Sequence, residues 1–258
     1  MAEGGIIGKL AEGLRSGGVL SAWVGINDVF VAETLAREAF DTVTLDMQHA
    51  GIDFVGAAHS IQAIAAAGKP TVARICIGDF STASRLADVG AAAVIAPMIN
   101  SAEDARRFAD FMKFPPLGNR SWGPRAALSL SGLSGPEYLK TANRFTLALA
   151  MIETPQALAA LDDILAVEGI DGVFVGPSDL SITLSKGAKI DPHGEAVNAA
   201  LDRIVAAAKA CGKFVALFCV DGARAKYARE HGVAFCSIAS DQILLRNAAK
   251  AELAAARG

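Results

Sequence analysis

The sequence is short of charge, and its absences narrow its chemistry. Only 20% of its 258 residues are Asp, Glu, Lys or Arg, against 52% hydrophobic, which is more apolar than an average soluble domain. The net charge is −3, and no basic block carries interleaved aromatics, so no nucleic-acid partner is expected. The four cysteines, Cys76, Cys211, Cys219 and Cys236, show no CxxC spacing. They read as buried free thiols rather than as a metal or disulfide framework. No stretch approaches the roughly 20 unbroken apolar residues of a membrane span. The opening MAEGGIIGKLAEGLRSGG is too broken by Gly and charge for a signal peptide. The expectation is a cytoplasmic protein without a membrane partner. No GxGxxG turn follows the first apolar run, where GINDVF stands, which removes the usual sign of an open dinucleotide-binding sheet.

What is present is a rhythm. Eight short apolar runs occupy 19–26, 42–47, 71–76, 92–99, 146–153, 172–177, 214–220 and 234–240. Between them lie Ala-rich or amphipathic stretches such as VAETLAREAF, SAEDARRFADFMKF and EAVNAALDRIVAAAKACG, several closed by Gly. Alternation of this kind marks βα units. Eight of them in a chain near the ~250 residues typical of the fold predict a single (β/α)8 TIM barrel over residues 1–258. The last helix, DQILLRNAAKAELAAARG, is a candidate for exchange with a neighbouring subunit. Surplus apolar surface makes a homo-oligomer plausible. Two Gly-, Pro- and Ser-rich segments, 114–138 and 181–194, are long for barrel loops and are read as functional.

Barrel chemistry comes from the C-terminal ends of the strands and the loops that follow. Those positions hold Trp23, Asp46, Gln48, His49, Arg74, Glu153, Asp179 and Ser240. Glu153 and Asp179 follow the fifth and sixth runs, and neighbouring strands lie roughly 5 Å apart. The two carboxylates are therefore placed to share a hard divalent cation; each alone reads equally as a cap of the turn or helix that follows it. Asp46 and His49 are spaced for a carboxylate to orient an imidazole for acid–base work, or as a loop histidine satisfied by its neighbour. Arg74 cannot shed its charge and needs an anion, either a bound substrate or an ion-pair partner in Asp46 or Glu153. The Gly176–Pro177–Ser178–Asp179 turn presents backbone N–H groups suited to a small carboxylate. His59, His193 and His231 read as surface residues. Arg120 and Arg125 read as partners for a substrate's acidic tail or as surface charges.

The blocks LDMQHAGID, AAAVIAPMINSAEDA, FPPLGNRSWGP, MIETPQAL and VEGIDGVFVGPSDLS, in that order from about residue 18 onward, resemble the class II, metal-dependent pyruvate aldolases of the HpcH/HpaI group. That group includes 4-hydroxy-2-oxoheptanedioate and 2-dehydro-3-deoxyglucarate aldolases. The resemblance implies Mg2+, Mn2+ or Co2+ held by Glu153 and Asp179. It also implies an Asp46–His49 pair, an active-site Arg74 and a pocket wall at Trp23. A hexamer or trimer is implied, in which Asp88 reaches a neighbour's site. The implied reaction joins or splits a 2-keto acid and an aldehyde at a carbon–carbon bond, with pyruvate or hydroxypyruvate as donor. Two positions depart from the group's pattern. Met151 stands where relatives often carry Gln, and Gln48 where they often carry Glu, which leaves the natural substrate open. Oxaloacetate decarboxylation, another lyase reaction through the same enolate, and a non-catalytic keto-acid binder are the rival readings.

Overall fold

In the computed structural model, which describes residues 2–258, eight parallel strands close into a barrel in sequence order. They are β1 (Val19–Val24), β2 (Thr42–Asp46), β3 (Thr71–Arg74), β4 (Ala93–Ala96), β5 (Leu147–Ile152), β6 (Gly172–Val175), β7 (Phe214–Cys219) and β8 (Phe235–Ser240). Helix α1 (Gly5–Ser16) precedes the barrel. The connections carry α2 (Val29–Arg37), α3 (Phe54–Ala66), α4 (Phe80–Val89), α5 (Ala102–Met112), α6 (Arg125–Ser131), α7 (Gly135–Thr141), α8 (Pro155–Ala159), α9 (Leu161–Leu165), α10 (Pro177–Leu184), α11 (Glu195–Ala210) and α12 (Gly222–Glu230). Helix α13 (Asp241–Arg257) ends the chain. The predicted (β/α)8 barrel is the observed fold.

Each apolar run overshoots its strand at one end or both, because ladder pairing stops before the apolar residues of the next turn begin. The segment read as a loop over 114–138 contains α6 and the start of α7, and the one over 181–194 begins inside α10. Helices were hidden there by Gly and Pro, which sit at helix boundaries as readily as in loops. The thiols also divide differently from expectation: Cys219 and Cys236 are buried, whereas Cys76 and Cys211 are exposed. Cys76 lies beyond the end of β3 and Cys211 caps the end of α11.

Short polar residues hold the strand-to-helix turns in place. Asp28, Asp53, Asp79, Ser101, Thr154, Asp221 and Ser240 each accept a first-turn backbone N–H of the helix that follows. This satisfies donors that a helix leaves unpaired. The mouth of the barrel is thus built on capped helix starts. Alternation along the strands sends one set of side chains inward, where Val19, Trp23, Ile95, Leu149, Met151, Phe174 and Phe235 pack together. Ser21, Thr44 and Ser237 add a hydroxyl chain across this interior, at 2.8 and 3.4 Å. On α1, Ile7 and Leu10 join the same cluster beside Val19 and Leu147, at the starts of β1 and β5, and so close that end. Among the described residues, no helix is long and apolar enough to cross a membrane.

Helix α13 departs from the packing of the others. Asp241 is its one buried residue, and from Arg246 onward every residue is exposed. An apolar groove of about 390 Å³ lies between it and α2, lined by Phe30, Val31, Leu35, Leu244 and Leu245.

Candidate active site

Strand register brings the first charged pair together. Asp46 is the Cα partner of Arg74 across β2 and β3, and Arg74 lines the cleft. Arg74 Nε donates to Asp46 Oδ1 at 2.9 Å, and its Nη2 donates to Oδ2 at 2.7 Å. This is the two-pronged geometry that only a guanidinium supplies. Burial pushes the Asp46 carboxyl upward. The hydrogen bond and charge of Arg74, with backbone N–H groups of Gln48 and His49, outweigh that and hold it below the ordinary range. The Arg74 guanidinium also lies 4.8 Å from the Trp23 ring centre.

This arrangement corrects the expected Asp46–His49 pairing in part. Asp46 reaches His49 only through the backbone N–H, at 3.4 Å, while both of its oxygens also accept from Arg74. The His49 ring is exposed and opens into the cleft. Of the alternatives for Arg74, the ion pair with Asp46 is the one that forms.

Glu153 follows β5 and is 2% exposed. It does not cap the helix after it, since Thr154 Oγ1 accepts the Ala157 N–H at 3.0 Å. Instead Glu153 Oε1 accepts the Met98 N–H at 2.8 Å. Met98 donates from a left-handed backbone conformation, φ 56°, which costs a non-glycine residue energy and is seen where surrounding structure imposes it. Burial drives the Glu153 carboxyl from 4.5 to about 6. The charge of Asp179 adds to that rise, and the Met98 N–H and Arg74 oppose it. Asp179 sits in the first turn of α10, exposed to the cleft. Thr183 on the same helix donates to the Glu153 carbonyl at 3.1 Å, which ties the two carboxylate-bearing segments together. Glycine is required at 176. A Cβ there would lie 2.5 Å from Met151 Cε and 2.6 Å from Glu153 Oε2.

These groups surround a cleft of about 160 Å³. Its lining combines polar His49, Arg74, Ser178 and Asp179 with apolar Trp23, Met151, Phe174 and Phe218. Pro177 and Ser178 open α10, so unpaired backbone N–H groups and the positive end of the helix face the cleft, an arrangement that favours a carboxylate. The residues present fit a hard cation: a buried carboxylate and an exposed one repel each other, and Arg74 is already committed to Asp46. Among the described residues, no group of three or more His, Cys, Asp or Glu gathers, so a cation here would keep open positions for oxygen atoms of a substrate or water.

Other candidates fall outside the cleft. Asp88, on α4, accepts from Arg120 Nη2 at 2.6 Å. Arg120 is neither a surface charge nor a cleft residue. It is buried with Nε and Nη1 unpaired, its guanidinium 4.6 Å from the centre of the Phe114 ring. Arg125 is exposed at the start of α6, and His59, His193 and His231 are exposed as well. Sequence reasoning missed Met98, Thr183 and Phe218. It also missed Asp241, whose buried carboxylate accepts the Gly25 and Ile26 N–H groups at 3.0 and 2.8 Å and so holds the turn after β1.

The family model for HpcH/HpaI aldolase/citrate lyase matches residues 20–248. A hydroxypyruvate/pyruvate aldolase of Rhizorhabdus wittichii is 40% identical, over 92% of this chain and 94% of its own. A 4-hydroxy-2-oxo-heptane-1,7-dioate aldolase of Salmonella typhimurium is 35% identical, over 90% and 88%. The solved HpcH/HpaI aldolase/citrate lyase family protein from Burkholderia cenocepacia superposes with a TM-score of 0.86 at 30% identity, over 96% of this chain and 99% of that one. By sequence along nearly its whole length, and by fold, the chain belongs to the HpcH/HpaI aldolase/citrate lyase family.

Proposed function

We propose that the chain is a divalent-cation-dependent aldolase that forms and cleaves 4-hydroxy-2-oxo acids, with pyruvate or hydroxypyruvate as donor and an aldehyde as acceptor. The observation that carries this reading is the buried Glu153 carboxylate at the end of β5 with the cleft-lining Asp179 on α10, the two segments tied by the Thr183 hydrogen bond to the Glu153 carbonyl. Relatives named as aldolases support the reaction class.

Glu153 and Asp179 would hold Mg2+, Mn2+ or Co2+, which when bound supplies positive charge against the anion that develops on the donor's 2-oxo oxygen. Arg74 faces the same oxygen, its guanidinium fixed in plane by Asp46 so that it need not reorganise as charge builds. The N–H groups of Ser178 and the following turn, with Gly176 and Pro177 shaping the approach, receive the donor carboxylate. Trp23 forms the wall behind it. In cleavage, His49 takes the proton from the 4-hydroxyl as the C3–C4 bond breaks, releasing the aldehyde and leaving the donor as its enolate. A proton returned to C3 completes the keto acid. In synthesis the same steps run backward. Lysine is absent from the cleft lining, so a Schiff base has no candidate residue there.

Asp88 is proposed to complete a neighbouring subunit's site in a trimer or hexamer. The exposed α13 is proposed to pack on a neighbour, and the protein is proposed to work in the cytoplasm. The deciding assay strips the protein with chelator and restores the cation. Activity should vanish and return, and Glu153→Ala and Asp179→Ala should stay inactive. Activity that persists without cation, or in either variant, overturns the proposal.

A further inference from the structure

Glu153 is held at its side chain and at its main chain by different elements. Its Oε1 accepts the Met98 N–H at 2.8 Å, and its carbonyl accepts from Thr183. The first contact depends on the left-handed backbone of Met98, φ 56°, which a non-glycine residue leaves unless its surroundings prevent it. Asn100 is placed to do so. Its Nδ2 donates to the Met98 carbonyl at 3.1 Å, so Met98 is engaged at both its N–H and its C=O. Asn100 Oδ1 in turn accepts from the Thr154 hydroxyl. Thr154 is buried, and its Oγ1 already accepts the Ala157 N–H at 3.0 Å. Its one proton therefore goes to Asn100 and fixes which end of the amide is oxygen. Because Thr154 follows Glu153 in the chain, the contacts close into a ring that runs from Glu153 through Met98 and Asn100 to Thr154.

We propose that Asn100 is a positioning residue for Glu153, holding Met98 so that its N–H fixes the carboxylate for a divalent cation. This rests on the cation site proposed above. Among side chains of this size only the amide closes the ring, because the position must donate to a carbonyl and accept from a hydroxyl at once. Without it the Met98 carbonyl is released, and Met98 can relax out of the left-handed region. Ile99 is buried and the Asn100 N–H is held by Asp104 Oδ2 at 3.3 Å. The rotation therefore falls on the peptide groups flanking Met98. The Met98 N–H turns off Oε1, and Glu153 loses its alignment. Groups that orient a metal ligand from behind are typically worth roughly 10- to 100-fold in metal affinity.

The test measures Mn2+ affinity by electron paramagnetic resonance, which reads free Mn2+ and requires no turnover. Asn100→Leu keeps the volume and removes both polar ends of the side chain. Thr154→Val keeps the amide and removes its anchor. Each variant is expected to bind Mn2+ roughly tenfold more weakly than the wild type. The double variant should be about as weak as the weaker single one, since both residues act through Met98. Circular dichroism and thermal midpoints taken alongside show that each variant is folded at the temperature of the titration. A folded Asn100→Leu protein that binds Mn2+ as tightly as the wild type overturns the inference, as do losses that simply multiply in the double variant. A purely structural Asn100 would lower the thermal midpoint and leave the affinity of the folded protein unchanged. Should Asn100→Leu fail to fold, Thr154→Val decides alone. A wild type that binds no Mn2+ defeats the cation site itself, and the role of Asn100 with it.

Discussion

Replacing Glu153 by Gln should make the cation-free protein more stable while ending its function. The amide is nearly the same size and can still accept the Met98 N–H through its oxygen, so the change removes charge and little else. Burial and Asp179 move the Glu153 carboxyl from 4.5 to about 6, and each unit corresponds to 1.36 kcal/mol. Holding the carboxylate ionised in the fold therefore costs about 2 kcal/mol relative to the unfolded chain. The sign follows from the direction of the shift. A group whose pKa is raised on folding favours the fold below its unfolded value and loses that contribution as pH climbs through the folded one. Stability of the cation-free wild type should thus fall between about pH 4.5 and pH 7, and the Gln variant should lack that component. Urea denaturation at pH 8 is expected to show the variant more stable by about 2 kcal/mol, with the difference closing toward pH 4.5. Added Mg2+ should then stabilise the wild type and leave the variant unchanged, because only a ligand that prefers the folded state shifts the equilibrium. A variant no more stable than wild type at pH 8, or equally stabilised by Mg2+, would refute the picture of Glu153 as a buried carboxylate awaiting a cation.

Three further outcomes are expected. Arg74→Lys should cut kcat roughly 100-fold, since an ammonium cannot grip Asp46 with two parallel hydrogen bonds and still face the 2-oxo oxygen; steady-state kinetics with unchanged circular dichroism checks this. His49→Gln should lower kcat on the order of 100-fold or more and leave the thermal midpoint in place, because the residue is exposed. Lys113→Met should act on stability alone. Lys113 Nζ, buried, donates to Asp171 at 2.6 Å and to the Asn143 and Thr146 carbonyls at 3.0 and 2.7 Å. Its loss breaks the ion pair and leaves Asp171 only the Ala148 N–H at 2.7 Å, which should cost about 3 kcal/mol in denaturant unfolding.

The barrel was legible because its strands bury both faces, so each appears as an unbroken apolar run that a half-exposed strand would not produce. The same property blurred the ends. Ala92, Pro97 and Met98 are as apolar as the strand they flank, and only ladder hydrogen bonds separate β4 from its turns. Helix α10 was hidden for a related reason. Pro177 reads as a breaker, yet at the first helical position its missing N–H costs nothing and its fixed φ suits the helix.

The site divides along the range of its interactions. Arg74 and Glu153 stood out because a charge in an apolar run has few structural explanations. Which charge meets which was beyond a linear reading: Asp46 lies three residues from His49 but belongs, by register, to Arg74 on the next strand. That pairing alters the assignment of roles. Asp46 meets His49 only at its backbone N–H, so the structure gives the imidazole no carboxylate to orient it. The Met98 N–H and the apolar part of the cleft lining were invisible for different reasons. A backbone donor has no letter in the sequence, and Met151, Phe174 and Phe218 follow the inward alternation of ordinary core residues. Only the open end of the barrel turns part of that core into the lining of a cleft.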